Sequence, residues 1–340
     1  MGQVLSLNAH HRVLGFFPHP DDEALGAGIL LQRAAQVGAT VLAVFLTSGE
    51  ANSWPLRVLE RTLWVTEAHR ARFAARRERE TAASLTALGW DPRTAVFLRW
   101  PDTGLTHRAL QEPQPYLAVL RELFFRFSPT HVLCPVLSDR HPDHSLAAVL
   151  VLAAAEGQKA ELLGYATHSP LRGQVARAFY RLSASEEETR AKARAIACHE
   201  SQMVFRRGFH RSFAQAEELF FPLDAQDPRT LICARLEGKE LLATFSLHSL
   251  WRSFRRVWLE LFWFDDGFHG ASAVLWPSHS WAPDRSKAEL ALDFAGHPWA
   301  GRFRVRFPCQ PRWVAVKVHR PLLLFQEAGF TLARNMAIAQ

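Results

Sequence analysis

One pattern occurs twice in this chain and restricts the folds that it can adopt. A short apolar run is followed by a loop with histidine and carboxylates, and then by a helix-like stretch, in residues 13–37 and again in 131–155. Short apolar runs bounded by turn residues predict buried strands. Strands that alternate with helices predict βαβ units and a mostly parallel sheet with right-handed crossovers.

The same reasoning predicts further elements before residue 200. Strands are expected over residues 13–17, 40–46, 95–100 and 131–135. Helices are expected over residues 24–37, 65–88, 115–127 and 145–155. Ser185 and Glu188 have the spacing of a capping box, which predicts a helix through residue 197. Residues 50–61 lack clear periodicity and are either a substrate-gating loop or an ordinary connector.

The first loop, residues 18–23, reads Pro-His-Pro-Asp-Asp-Glu and follows a predicted strand. Ligands of open α/β sheets bind at the carboxyl ends of the strands. One imidazole and one carboxylate could hold a divalent metal there, which leaves the second carboxylate free to move protons. The alternative is that Asp21 and Asp22 cap the following helix, although one cap needs only one carboxylate.

The second loop ends in His141-Pro142-Asp143-His144 and follows another predicted strand. Two such loops on one parallel sheet can meet above the strand ends, where together they offer three histidines and three aspartates. A catalytic zinc usually takes three protein ligands and keeps one position open. A lone histidine is more often a surface or core residue, but two clusters of one composition favour a metal site.

These blocks resemble the LmbE-like, or PIG-L, metal-dependent N-deacetylases, which include enzymes that act on mycothiol and bacillithiol precursors and on N-acetylglucosaminyl-phosphatidylinositol. Weaker matches support the resemblance over residues 12–222, and they lie at 46–50, 77–89, 98–105 and 192–202. The resemblance implies a Rossmann-like, mostly parallel sheet with helices on both faces. It divides the chain into a deacetylase domain, 1–222, and an unrecognised C-terminal region, 223–340.

The resemblance also implies roles for the residues of the two blocks. The zinc ligands would be His19, Asp22 and His144. Asp21 would be the general base, His141 would polarise the amide carbonyl or stabilise the oxyanion, and Asp143 would orient an imidazole from behind. The chemistry agrees, because amide hydrolysis needs an activated water, an oxyanion partner and a proton donor for the amine.

Two further residues are assigned to the substrate by their position in the resembling motifs. Arg77 would contact the polar end of the substrate, and Asp102 a sugar hydroxyl. The alternatives are that Arg77 is a solvated helix charge paired with Glu80, three residues on, and that Asp102 only forms a turn.

The composition fits a chain of two unequal folded regions. It has 340 residues, 48% of them apolar, and a net charge of +7 carried mostly by arginine. That charge suits an acidic partner, but no nucleic-acid-binding motif is recognised. No apolar stretch reaches the roughly 20 residues of a membrane span, and no leader peptide is predicted. The four cysteines show no paired spacing, which favours a reducing compartment, and we expect a cytoplasmic protein.

The sequence changes in character after residue 222. Seven tryptophans occur from residue 251 onward, with proline and glycine scattered between apolar runs, and residues 302–307 and 313–318 predict strands. Residues 250–264 fit either a helix or a pair of strands, so the region is expected to be α+β or mainly β. Its aromatic side chains could form a sugar-binding face, but core packing is the more usual role. His248, His269, His279 and His297 show no ligand spacing.

Taken together, the sequence predicts a zinc-dependent hydrolase that removes an N-acetyl group from an N-acetylglucosamine-type sugar or glycoconjugate. Fe²⁺, Mn²⁺ or Co²⁺ could replace Zn²⁺, because the same ligands suit them. The alternative is a metal-binding carbohydrate-recognition protein without turnover. A nucleotide-binding role is weaker, because two carboxylates in the first turn would repel a pyrophosphate. Whether the chain forms a homo-oligomer stays open.

Overall fold

The computed structural model describes most of the chain. The described residues are 3–169, 171–226, 232–247, 256–276, 280–281, 291–297, 300–319 and 329–335. Among them, no helix combines the length and the apolar character that crossing a membrane requires.

A seven-stranded sheet forms the centre of the first part of the chain. Its strands are β1 (Arg12–Phe17), β2 (Thr40–Thr47), β3 (Ala95–Trp100), β4 (His131–Pro135), β5 (Glu161–Tyr165), β6 (Tyr180–Ser183) and β7 (Glu217–Pro222). Their order is β3-β2-β1-β4-β5-β7-β6. Strands β1 to β5 run parallel, whereas β7 and β6 pair antiparallel. The predicted mostly parallel sheet is confirmed, and each of the four predicted strands is found within one residue of its expected ends.

Helices cover both faces of this sheet, as predicted. They are α1 (Asp22–Gln36), α2 (Ser53–Leu59), α3 (Glu67–Ala87), α4 (Leu105–Gln111), α5 (Gln114–Phe127), α6 (Pro142–Ala154), α7 (Glu186–Cys198) and α8 (Glu200–Arg211), with 3₁₀ turns at Pro92–Thr94 and Val175–Arg177. Side chains alternate along β1, so Leu14 and Phe16 pack with α4, α5 and α6, whereas Val13 and Phe17 pack with α1, α3 and α7.

The local helix predictions are also largely confirmed. The capping box is present, because Glu188 N donates to Ser185 Oγ at 3.1 Å and Ser185 N donates to Glu188 Oε2 at 2.7 Å. The segment 50–61, expected as a loop, contains helix α2 instead. This helix is short and buries only Pro55 and Leu56, which is too little to produce a visible periodicity.

Two antiparallel sheets follow residue 231. Their strands are β8 (Ile232–Glu237), β9 (Glu240–Ser246), β10 (Val257–Phe264), β11 (Phe268–Trp276), β12 (Ser280–Trp281), β13 (Ala291–His297), β14 (Ala300–Arg306), β15 (Trp313–His319) and β16 (Thr331–Arg334). The strand orders are β12-β11-β10-β15-β16 and β13-β14-β9-β8. The mainly β expectation is therefore confirmed for the described residues. The undecided segment 250–264 is strand from Val257 onward, and residues 250–255 lie outside the described part.

Two tryptophans among the described residues of this region serve the core. Trp263 and Trp313 are almost fully buried, which confirms the core interpretation for these two. Strand β10 places Leu259 and Leu261 between the two antiparallel sheets. Its alternate residues, Phe262 and Phe264, belong to the same apolar cluster as helices α4 to α6. One sheet of the C-terminal region thus packs directly on the α/β body.

Candidate active site

The turn between β1 and α1 carries the first set of site residues. Asp21 has a φ of 129°, a conformation that is rare and strained outside glycine. Its backbone N–H donates to Glu23 Oε2 at 3.0 Å, and its side chain makes no capping hydrogen bond. Asp22 Oδ2 accepts a hydrogen bond from His19 N at 2.9 Å. Helix capping therefore does not explain why two aspartates are present.

Three side-chain atoms from the two loops form a small triangle. His19 Nδ1 lies 3.1 Å from His144 Nε2 and 3.5 Å from Asp22 Oδ2, and His144 Nε2 lies 3.2 Å from Asp22 Oδ2. Zinc bonds of about 2.1 Å in a tetrahedral arrangement place neighbouring ligand atoms about 3.4 Å apart. The triangle has that size, so these residues fit a divalent metal. The rings of His19, His141 and His144 also form a group that could hold a metal.

In both His19 and His144, the ring nitrogen that is not part of the triangle lies near buried oxygen acceptors. His19 Nε2 lies 3.2 Å from Asp102 Oδ1 and 3.4 Å from Asp143 Oδ2. On the other ring, His144 Nδ1 lies 3.0 Å from Thr167 Oγ1 and 3.6 Å from Asp139 Oδ2. Metal-ligating histidines typically donate their second N–H to such groups, which fixes the tautomer and orients the ring.

Burial and the nearby carboxylates shift the pKa values of these two imidazoles in opposite directions. Burial lowers the pKa of His19, but hydrogen bonds with Asp102, Asp143 and Asp22 outweigh it, so the pKa is raised well above 6.5. His144 is likewise buried, and the charges of Asp22 and Asp139 raise its pKa to about 9. The site therefore attracts positive charge strongly, as a metal site should.

Asp21 lies beside the triangle, next to Arg77 and His210. Its Oδ1 is 3.6 Å from Arg77 Nη2, and its Oδ2 is 3.4 Å from His210 Nε2. Burial raises the pKa of Asp21, but the hydrogen bond to His210 and the charge of Arg77 outweigh this and lower it below 3.8. The carboxylate is thus ionised at neutral pH and can accept a proton.

His141 occupies the N-cap of α6 and lies against both ligand histidines. Its ring centroid is 4.6 Å from that of His19 and 4.9 Å from that of His144. Its Nδ1 accepts a hydrogen bond from Asp143 N at 3.3 Å, which assigns the proton of a neutral ring to Nε2. Burial, followed by the charges of the two neighbouring rings, lowers its pKa well below 6.5. The ring can act as a neutral hydrogen-bond donor.

The two residues assigned to the substrate are more deeply engaged than the sequence indicates. Arg77 is only 3% exposed and donates to the carbonyl oxygens of Gly49 and Pro20, so it is not a solvated helix charge. Asp102 Oδ2 accepts from Ala51 N at 2.7 Å, while its Oδ1 faces His19. Both side chains nevertheless line the cavity above the triangle.

Several residues of the site gave no signal in the sequence. His210 is one of them, because α8 carries no motif beyond residue 202. Asp139 and Thr167 lie beside His144, and His168 N donates to Asp139 Oδ2 at 3.0 Å. Thr167 and His168 directly follow strand β5, so the same strand-end reasoning could have identified them.

The cavity over the triangle has a volume of about 410 Å³. Its base holds His19, Asp21 and Asp22, and its wall includes the exposed rings of Trp54 and Phe205. Concave sites of about 300–1,000 Å³ with a few convergent polar groups are typical of small-molecule binding. The arrangement places a group that could hold a metal, with an ionised carboxylate beside it, at the carboxyl edge of an α/β sheet.

A comparison with protein families finds a match that contains both loops of the site. Residues 14–155 match the family model PIG-L, described as GlcNAc-PI de-N-acetylase. The chain therefore contains a PIG-L (LmbE-like) family domain, which confirms the resemblance over residues 14–155. The C-terminal region has no family match, and no curated protein matches the chain.

Solved structures with a similar fold carry different activities. A conserved protein from Thermus thermophilus is 25% identical, with a TM-score of 0.47 over 62% of this chain and 93% of its own. The N,N'-diacetylchitobiose deacetylase from Pyrococcus horikoshii is 21% identical, with a TM-score of 0.46 over 64% and 87%. The 4-carboxy-2-hydroxymuconate hydratase from Pseudomonas putida is 22% identical, with a TM-score of 0.46 over 60% and 82%.

Proposed function

We propose that this protein is a zinc-dependent N-deacetylase that hydrolyses the acetamide of an N-acetylglucosamine-type sugar or glycoconjugate. The observation that carries the proposal is the metal-sized triangle of His19, Asp22 and His144 beside the ionised carboxylate of Asp21. The description of the matching family as a GlcNAc-PI de-N-acetylase supports the choice of reaction.

The three residues of the triangle would hold the metal through two imidazole nitrogens and one carboxylate oxygen. A bound Zn²⁺ supplies a Lewis acid for the amide carbonyl and lowers the pKa of water to about 7. Asp102 and Asp143 behind His19, with Asp139 behind His144, keep both rings oriented for this task.

Asp21 would act as the proton carrier of the reaction. As a carboxylate it takes one proton from the attacking water, whose oxygen forms a bond with the acetyl carbon. The same proton is then passed to the departing nitrogen as the C–N bond breaks, which yields the free amine and acetic acid. The acid keeps the second proton of the water and releases it on ionising to acetate. Arg77 and His210 hold the two oxygens of Asp21 and keep it ionised between turnovers.

His141 would stabilise the negative oxygen that forms on the acetyl carbon. Its neutral ring carries the proton on Nε2, so it can donate a hydrogen bond without a change in charge. A positioned donor of this kind is typically worth about 10²–10³ in kcat. Asp102 and Arg77 line the same cavity and are proposed to contact the sugar and the polar end of the substrate.

A metal-binding carbohydrate-recognition protein is the alternative. Such a protein would need the triangle but would have no use for a strained, ionised aspartate next to it. The φ of 129° at Asp21 has a conformational cost that sites of catalysis commonly carry, and this favours turnover.

The test is acetate release from a panel of N-acetylglucosamine derivatives by protein of known metal content, alongside Asp21→Asn. We expect one metal per chain in both proteins and a loss of roughly 10²–10⁴ in kcat in the variant. If both proteins bind one metal per chain but the wild type releases no acetate, the carbohydrate-recognition alternative is favoured. Wild-type protein that binds no divalent metal would refute the proposed site.

A further inference from the structure

The loop between β4 and α6, residues 136–140, presents the carboxylate that orients one metal ligand. Asp139 is fully buried, and its Oδ2 lies 3.6 Å from His144 Nδ1. The same oxygen accepts from His168 N, and Oδ1 accepts from His141 N at 2.9 Å. Thr167 Oγ1 also lies 3.0 Å from His144 Nδ1, so the loop supplies one of the two groups that orient the His144 ring.

The loop is held by chain segments that lie far beyond it in sequence. Leu137 O accepts a hydrogen bond from Phe330 N at 2.9 Å. On its other side, Leu137 N donates to Leu223 O at 2.9 Å, and Ser138 Oγ donates to Ala225 O at 2.9 Å. Two of these three contacts come from the connection after β7, and the third comes from the entry to β16.

Gly329 brings the C-terminal backbone into direct contact with this loop. A Cβ at Gly329 would lie 2.5 Å from Asp139 O and 2.6 Å from Leu137 O. Both atoms belong to the backbone, so they cannot swing aside as a flexible side chain would. Only glycine allows the two segments to approach this closely.

The rest of the contact between the C-terminal sheet and the α/β body is apolar. It fixes the sheet against α6, the helix that follows the loop. Phe262, Ala315 and Phe330 belong to one buried cluster with Leu137 and with Leu146 of α6. The C-terminal sheet cannot move away without exposing these side chains to water, which is unfavourable. The loop thus rests on a fixed surface rather than on a mobile tail.

We propose that the C-terminal sheet is a positioning element of the metal site, which acts through Gly329 and Phe330 on the loop that carries Asp139. This inference rests on the proposed function, since it requires that His144 binds a metal. The described part of the C-terminal region would thereby help to position a metal ligand of the α/β domain.

Gly329→Ala tests the proposal, with Gly208→Ala as the matched control. Gly208 lies in α8, where an added Cβ meets nothing within 4 Å. Metal affinity is measured by competition with a chromogenic chelator, and ligand geometry by the visible spectrum of the Co²⁺-loaded protein. We expect Gly329→Ala to bind Zn²⁺ about 10–100-fold more weakly, as is typical when an outer partner of a metal ligand is disturbed. Its Co²⁺ spectrum should also change, while Gly208→Ala stays at wild-type values.

The outcomes separate the inference from the proposed function. Wild-type protein without metal would refute the proposed function and the inference with it. Wild-type metal affinity and spectrum in a folded Gly329→Ala protein would overturn the inference alone, even if its Tm fell. Should Gly329→Ala not fold, Phe330→Leu changes the contact of the same segment with Leu137 without adding bulk, and the same decrease in affinity is expected from it. An unchanged affinity in that variant would overturn the inference.

Discussion

The guanidinium of Arg77 fills the space beside Gly49 that a side chain would occupy. Arg77 Nη1 donates to Gly49 O at 2.9 Å, and a Cβ on Gly49 would overlap Nη1. Arg77 in turn lies 3.6 Å from Asp21, so the glycine after β2 controls the position of a cation beside the proposed base. A change at Gly49 should therefore reach the chemistry by displacing Arg77, although it replaces none of the residues that line the cavity.

Gly49→Ala is expected to displace Arg77 and to lower kcat for acetate release. Gly49 has a φ of +65°, and an L-residue in that region costs about 1–2 kcal/mol on its own. Gly157→Ala is the matched control, because Gly157 has a φ of +77° but open space around it. Urea unfolding should show a similar loss of stability in both variants. A fall in kcat in both variants, or in neither, would contradict this link between Gly49 and Asp21.

The two loops of the candidate metal site could be predicted from the sequence, because each of them directly follows a strand in the chain. Strands β1 and β4 are adjacent and parallel, so loops that follow them must meet at one edge of the sheet. The neighbours of Asp21 could not be found in that way. His210 lies 189 residues from Asp21 along the chain, and only the packing of α8 on the sheet edge brings them together.

The C-terminal sheets also show what local sequence patterns can and cannot predict. Alternation over residues 302–307 predicted β14, because this strand has one face in a core. The similar pattern over residues 313–318 predicted β15, although that strand is buried throughout. Strand β10 is buried on both faces, and its near-continuous apolar run looks the same as a buried helix in the sequence. The contact of Gly329 with the loop at Asp139 depends on two segments meeting in space, which no local pattern encodes.

Glu260 is expected to be important for the stability of the C-terminal sheet. It is buried, and its carboxylate lies 2.7 Å from Lys317 Nζ and 3.0 Å from His319 Nε2. Removing one partner of a buried ion pair typically costs about 3–5 kcal/mol, because the remaining charge loses its compensation. Glu260→Gln should show that loss in urea unfolding. Glu122→Gln, at an exposed helix pair with Arg126, should change stability by about 0.5 kcal/mol or less.

The same carboxylate predicts a dependence of stability on pH. Burial raises the pKa of Glu260, but the charges of Lys317 and His319 outweigh it, so the folded-state pKa lies well below the ordinary 4.5. A depressed carboxyl pKa stabilises the fold above pH 4.5, and that contribution is lost as pH falls towards the folded-state value. Wild-type stability should thus decrease more steeply below pH 4.5 than that of Glu260→Gln. Parallel acid profiles for the two proteins would show that Glu260 does not titrate as proposed.

Binding of Zn²⁺ should stabilise the fold if the triangle is a metal site. A ligand at about 100 times its Kd adds roughly 2.7 kcal/mol, which appears as a higher Tm. His144→Ala removes one ligand and should abolish this rise. His131→Ala is the control, since His131 is also buried but lies at the opposite end of β4. A rise in Tm that persists in His144→Ala would place the metal elsewhere.

The exposed ring of Trp54 predicts a preference among substrates. Trp54 is 63% exposed and Phe205 is 54% exposed, and both line the mouth of the cavity. Aromatic contacts are worth about 0.5–1.5 kcal/mol beyond the area that they bury, so an aryl aglycone next to the amino sugar should gain from the two rings. Trp54→Ala should therefore lower kcat/KM for an aryl N-acetylglucosaminide roughly 2–10-fold and leave the methyl glycoside unchanged.

Trp64→Ala provides the matched control for this prediction. Trp64 is 84% exposed and lies ten residues beyond Trp54, but it does not line the cavity. Its removal takes away a similar exposed aromatic surface without touching the mouth, so both glycosides should be hydrolysed at wild-type rates. An alkyl glycoside extends the test, since equal losses for aryl and alkyl groups in Trp54→Ala would indicate apolar contact rather than ring stacking. Equal effects of Trp54→Ala and Trp64→Ala would show that the rim does not select the aglycone.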